Sequence, residues 1–421
     1  MAKNVDIKSA PDRIAVIPFY GAAAISFLAL CSLLTFFHSS LSLHYFNPQT
    51  LALAHCAALG WGTMIIFGAA YQLTPVITGN PLSSPVLAFV SFICLLLGTI
   101  FIVLSFLNFI ISWHIILGGS LVVLASFMYL VNIWMSIPHR ISSPIQTLFL
   151  ISSALWLCVT TISGLLLAIN LQHHFIPREH LELLKLHAHA GLAGWFLQLI
   201  CGVSSKLIPM FLLGKTKNSY LLYWSHGLQN IGLVLFLIDG YKNGVRFSSI
   251  YFGITVAIGV IFWAIFLYTS YKARLRKKTD VLMKQSLFSF VILFIALGMM
   301  LFTFFNPSYK WASMYIMVVF LGWITGLILP QTFKTLPFIV WNITYKGMHG
   351  KAKIPMPKQL YNEKLTSIKF YLYLIGLFGL FIGLFFQIQT IIAISSYIWL
   401  ILAIAYCYNV YKIILHKTNI S

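Results

Sequence analysis

Acidic residues are nearly missing from this chain. Of 421 residues only seven are Asp or Glu, and charged residues of both signs make up 8% of the total, against about a quarter in a soluble domain. The scarcity excludes a soluble globular chain. It also leaves no carboxylate in the interior of the long apolar runs, Asp239 standing at the end of one, which counts against proton coupling. Cysteine is equally uninformative as a framework: Cys31, Cys56, Cys94, Cys158, Cys201 and Cys407 all fall within apolar runs. They read as small buried hydrophobes, with neither a disulfide scaffold nor a CxxC metal site. No low-complexity segment or soluble domain interrupts the apolar runs, and no early cleavage pattern follows Arg13, so the first run is expected to remain as a helix.

What the chain has instead is apolar surface. Sixty per cent of its residues are hydrophobic and 16% are aromatic, the composition of an all-α polytopic membrane protein. Runs of about 20 apolar residues predict twelve transmembrane helices, near 14–37, 50–77, 84–107, 110–136, 145–170, 183–213, 219–239, 248–271, 284–305, 311–341, 368–388 and 390–414. The boundary near Leu107-Asn108 is the least sharply drawn. The net charge of +20 does not indicate nucleic acid, because the basic residues occupy short gaps between helices, where they report topology. Twenty Lys and Arg fall on one side, among them Arg140, Lys215, Lys278, Lys351 and Lys369, against five on the other: Arg178, Lys185, Lys242, Arg246 and Lys310. With an even number of helices, both termini are expected in the cytoplasm of a cell whose inner (plasma) membrane holds the chain. The basic segments Tyr271–Gln285 and Asn342–Lys369 read as topological determinants in contact with anionic lipid.

Three of the helices share one pattern. Helix 2 carries His55, Gly60, Trp61, Ile66, Gly68, Gln72 and Pro75, and helix 6 carries His189, Gly194, Trp195, Ile200, Gly202, Lys206 and Pro209 at identical intervals. Helix 10 follows with Met317, Gly322, Trp323, Ile328, Pro330, Lys334 and Pro337. Four helices separate each copy from the next, so the copies run in parallel. The expected architecture is a single transmembrane domain, 1–421, of three parallel four-helix repeats, approximately 14–140, 145–275 and 284–414, in a pseudo-threefold arrangement. At 100° per residue the Trp, the second Gly and the Lys or Gln share a narrow arc, while the His and the Ile lie on another. The first arc reads as a packing seam, with glycine permitting close approach. The lysines, about 26 Å along the helix from the histidine position, are expected to snorkel to inner headgroups.

Histidine is the most plausible reactive side chain. For most of the thirteen histidines an interfacial or satisfied ring is the better reading. His55 and His189 differ, because both occupy one repeat position and a buried imidazole in lipid needs a partner. Neutral imidazole suits haem iron or copper. His187, two residues before His189, points to a different face.

Twelve helices in three parallel units, with histidines on helices 2 and 6, resemble subunit I of the haem-copper oxidases. The segments HAHAGLAGW and LIPMF of helix 6 and KTLPFIVW of helix 10 also resemble smaller relatives, including the haem-copper membrane proteins of the NnrS type. The resemblance implies His55 as a haem ligand and His189, with His187 nearby, as a copper-side metal ligand. It departs from the oxidases where helix 10 has no histidine, where Ala193 stands at the position of the expected tyrosine, and where helix 7 lacks a His-His pair. The implied protein is therefore a divergent, non-oxidase member. Met317 holds the third repeat position, where two readings stand: a methionine filling a gap in an apolar helix, or, with His55, an axial pair of a b-type haem.

The leading expectation is a haem-binding, copper-compatible membrane protein with a redox, nitric-oxide-related or metal-handling role and an electron-transfer partner. As an enzyme it would be a haem-dependent oxidoreductase. Two other classes stand beside it: a cofactor-free transporter or permease, and a structural or assembly subunit that keeps the fold.

Overall fold

A computed structural model describes residues 12–214, 218–275, 278–345 and 354–417. The basic residues Lys3, Lys8, Lys215, Lys217, Arg276, Lys277, Lys346, Lys351 and Lys353, counted above for topology, lie outside the described residues. Within them the chain is helical and carries twelve helices long and apolar enough to cross a membrane, as expected for a multi-pass membrane protein in contact with lipid. They are α1 (Arg13–Phe36), α2 (Pro48–Thr78), α3 (Pro85–Leu107), α4 (Trp113–Met135), α5 (Pro144–His173), α6 (His180–Leu212), α7 (Tyr220–Asn243), α8 (Ser249–Lys272), α9 (Val281–Phe305), α10 (Tyr309–Tyr345), α11 (Glu363–Phe386) and α12 (Gln389–Ile414).

Most ends fall within a few residues of the hydropathy reading, and the local chemistry explains the difference. Polar residues just ahead of the apolar runs cap the helices and extend them backwards. Asn47 accepts from the Thr50 N–H with Pro48 in the first turn, Asp280 accepts from Met283 N–H, and Asn362 accepts from Leu365 N–H. The Asn362 cap starts α11 five residues before its apolar run, which draws Lys364 into the helix. The α3–α4 boundary falls where the sequence was least decisive, with Phe109 in the left-handed region at φ 50°.

The three helices that carry the repeat are the longest, at 31, 33 and 37 residues. They are also the most enclosed: 72–78% of their apolar cores are buried, against 28–56% in the other nine. The peripheral helices turn apolar stripes outward at helical spacing. On α8, for instance, Ile254, Ile258, Ile261 and Ile265 are all exposed, as a lipid-facing surface requires.

The chain forms two compact units. One contains residues 70–105 and 110–279, hence the C-terminal end of α2 and helices α3 to α8. Here Trp195 of α6 is buried against the edge of Tyr129 of α4, at 5.5 Å between ring centres, and Tyr71 bonds Ser91 Oγ at 3.0 Å. The seam predicted from the repeat is present on α6. A Cβ on Gly194 would stand 2.6 Å from Trp156, and one on Gly202 would stand 2.5 Å from Phe149, both on α5. Only glycine admits that approach.

The other unit contains residues 17–69, 106–109 and 280–421, hence α1, most of α2, and α9 to α12. Its core is aromatic. Phe27 of α1 stacks on Trp61 of α2 at 4.4 Å and meets Tyr406 of α12 edge-on at 5.6 Å. Trp61 donates through Nε1 to Thr325 Oγ1 on α10 at 2.9 Å, and Tyr20 Oη lies 3.0 Å from Thr335 Oγ1. These bonds satisfy polar groups that lipid cannot. The three repeat tryptophans are all buried: Trp61 and Trp195 at 1% exposure and Trp323 at 3%.

The two repeat lysines each have a protein partner. Lys334 Nζ pairs with Asp280 Oδ2 at 2.9 Å, and Lys206 Nζ donates to Ser143 Oγ at 2.6 Å. Asp280 lies in the turn before α9, and packing of α9 against α10 brings its carboxylate to the lysine.

Candidate functional site

The repeat position has a backbone signature that hydropathy could not reveal. In each of α2, α6 and α10 the α-helical turns stop at one register and a short π-helical segment begins: Cys56–Thr63, Ala190–Leu197 and Val318–Ile324. The residue immediately before each is His55, His189 or Met317. A π turn carries more residues than an α turn, and such bulges are rare and concentrated at functional sites. The arc computed at 100° per residue therefore misplaces the histidine relative to the tryptophan, because the intervening turns are wider.

His55 is half-buried near the N-terminal end of α2. Its Nδ1 lies 2.8 Å from the carbonyl of Leu51, one turn earlier, and its ring packs against Phe106 at 4.9 Å. His189 repeats the arrangement on α6, with Nδ1 2.8 Å from the Lys185 carbonyl and the ring edge-on to Phe236 of α7 at 5.3 Å. A carbonyl only accepts, so each Nδ1 carries the proton. In the neutral ring the lone pair is then on Nε2, the nitrogen able to coordinate a metal. A hydrogen bond from the far ring nitrogen to a backbone carbonyl is the arrangement that fixes tautomer and orientation in metal-ligating histidines.

His187 faces a different neighbour. Its Nδ1 lies 3.1 Å from the Thr160 carbonyl and 3.2 Å from Ser163 Oγ, both on α5. The ring rests on Gly164, where a Cβ would come within 2.8 Å of Cε1. His187 thus faces α5 while His189 faces Phe236 on α7, as expected for residues two apart on a helix.

Met317 is buried at 4% exposure and belongs, with His55, to the unit containing α1 and α9–α12. His187 and His189 belong to the other. Thioether and imidazole together are a donor set suited to the axial positions of haem iron. Among the described residues no cluster of three or more His, Cys, Asp or Glu could hold a metal ion by side chains alone.

Two groups of polar residues went unread in the sequence. In the first unit His226 of α7 lies 3.0 Å from Ser152 Oγ, which donates to Gln198 Oε1 at 2.6 Å. Gln198 Nε2 and Trp156 Nε1 both donate to Asn230 Oδ1, at 3.1 and 2.8 Å. The signal was available as a stripe on α5, Ser152, Trp156, Thr160 and Ser163, at spacings of four, four and three. The second is Lys369, counted as an inner-surface charge. It is 3% exposed on α11, with its ammonium 3.5 Å from the centre of the Phe333 ring.

A scan against protein-family models finds no match to this chain, and neither does a comparison with curated proteins.

Proposed function

We propose that this chain binds a b-type haem in the membrane, that His55 and Met317 would hold it, and that its role is redox, nitric-oxide-related or metal-handling chemistry. The observation that carries the reading is the coincidence at one repeat register. His55 and His189 each end an α-helical stretch ahead of a π segment, and each gives its Nδ1 proton to the carbonyl four residues earlier. Nothing in packing alone requires two histidines to share both features. Haem would supply one-electron chemistry, with the methionine ligand favouring the reduced iron. The Leu51 carbonyl would hold the His55 ring in place, and Phe106 would cover one face of it. Copper would take His189 on the α7 side of α6, with His187 holding a separate place against α5.

The reading includes a pseudo-threefold arrangement of the four-helix repeats, as in haem-copper oxidase subunit I. It places the chain in the inner (plasma) membrane with both termini in the cytoplasm, and it calls for an electron-transfer partner. The absence of a histidine on α10 and the presence of Ala193 set oxygen reduction aside.

The test is a dithionite-reduced minus oxidised spectrum of the purified protein, with haem and copper quantified on the same sample. A Soret band is expected, lost in His55→Ala and retained in His38→Ala, whose ring lies outside the repeat. A colourless, metal-free preparation from haem-replete cells would overturn the proposal and leave the permease and assembly-subunit readings.

A further inference from the structure

The chain carries a buried lysine whose enclosure the bias of basic residues to one side does not explain. Lys369 stands six residues into α11, about 9 Å along the helix axis. It is 3% exposed, and its Nζ has no hydrogen-bond partner among the described residues. The ammonium faces aromatic rings, Phe333 at 3.5 Å and Tyr406 at 5.3 Å from their centres. Cation–π contact offsets only part of the cost of removing an ammonium from water. Neither ion pair found among the described residues includes it.

Beside the ammonium is a cavity of about 10 Å³, lined by Lys369, Gln285, Thr366 and Tyr373 with Gly326 and Pro330. Two of its polar groups are committed elsewhere. Tyr373 donates to the Gly322 carbonyl at 2.6 Å, and Thr366 Oγ1 donates to the Asn362 carbonyl at 3.2 Å. Lys369 remains as a donor at the space, and the buried carboxamide of Gln285, which also lines it, has an N–H group to offer. The lining therefore carries a positive charge with no carboxylate to answer it. A cavity of this size has room for about one water-sized group, which favours a small monatomic anion over phosphate. A water would hydrate the ammonium but would leave its charge uncompensated.

We propose that this cavity is a binding site for one monatomic anion of the halide class, held by the Lys369 ammonium and the Gln285 carboxamide, with Phe333 and Tyr406 closing the far side of the cation. The site lies among α9, α10 and α11 and is independent of the haem reading. Its occupant neutralises a charge that the fold buries, so halide binding and folding of this unit are linked.

The full-length protein, purified in detergent in sodium gluconate, is titrated with sodium chloride, sodium bromide or more gluconate at constant ionic strength, and thermal unfolding is followed. Chloride and bromide are expected to raise Tm saturably while gluconate does not. Lys369→Met, close in volume, should abolish the saturable response. Gln285→Leu, which keeps the cation, should raise the half-saturating concentration at least several-fold, and it remains informative if Lys369→Met fails to fold. Equal Tm curves in chloride and gluconate for the unsubstituted protein would overturn the proposal, as would a halide response that both variants retain in full.

Discussion

Asp280 serves two neighbours. Its Oδ1 accepts from the Met283 N–H and so caps α9, while Oδ2 holds Lys334 at 2.9 Å. An N-cap carboxylate is worth about 1 kcal/mol over alanine. The ion pair, in which Asp280 is 38% exposed, adds about 0–1 kcal/mol. Asp280→Asn keeps the cap and removes the charge, whereas Asp280→Ala removes both. Thermal unfolding in detergent should therefore rank the unsubstituted protein above Asp280→Asn and Asp280→Ala lowest; identical curves for the two variants would show that the cap contributes nothing. Met317 is decided by spectroscopy. If its sulfur is an axial ligand, Met317→Leu shifts the reduced spectrum and lowers the midpoint potential, and an unchanged spectrum excludes it. At this scale the sequence was informative where a residue repeated and misleading where it did not. His55, His189 and Met317 stood out because one interval recurs three times. Lys369 sits close to a run of inner-side lysines and looks like one of them. Its burial depends on Phe333 and Tyr406, which are 36 and 37 residues away, and no local pattern connects those three.

Helices α2, α6 and α10 were marked out in the sequence by a shared glycine and tryptophan register, and their burial follows from it. The π segments were not legible. Hydrophobic periodicity is insensitive to one widened turn, and the residues within them, such as Cys56–Thr63, have no composition that distinguishes them from α-helix. The glycines yield a test of the packing at this scale. A Cβ at Gly202 would meet Phe149 at 2.5 Å, whereas at Gly227 of α7 and Gly298 of α9 it would meet nothing within 4 Å. Gly202→Ala should destabilise the protein by about 1–3 kcal/mol through overpacking. Gly227→Ala and Gly298→Ala should be neutral or stabilise by about 0.5–1 kcal/mol, since alanine is the better helix former. The measurement is thermal unfolding of the three variants side by side, and a destabilised Gly298→Ala equal to Gly202→Ala would refute the α5–α6 seam as the cause.

For the whole molecule, the number of helices and their approximate bounds could be read from hydropathy, because lipid admits no spanning element in this composition other than an apolar helix. The grouping of helices could not. The repeat marks three copies of a pattern, while packing divides the chain into units of which one joins α1 and most of α2 to α9–α12, contacts that span more than 300 residues and leave no trace in local spacing. The proposed orientation rests on the basic residues between helices. Chemical access can test this without a cofactor. Leu43 between α1 and α2, Phe175 between α5 and α6, and Leu275 between α8 and α9 are 56%, 51% and 70% exposed. The native cysteines offer little background, five being buried and Cys407 half-buried. With the basic side inward, a membrane-impermeant maleimide applied to intact cells should label Leu43→Cys and Phe175→Cys. Leu275→Cys should react only after the membrane is permeabilised. Labelling of Leu275→Cys in intact cells, with Leu43→Cys protected, would invert the topology and place His55 and His189 near the cytoplasmic face.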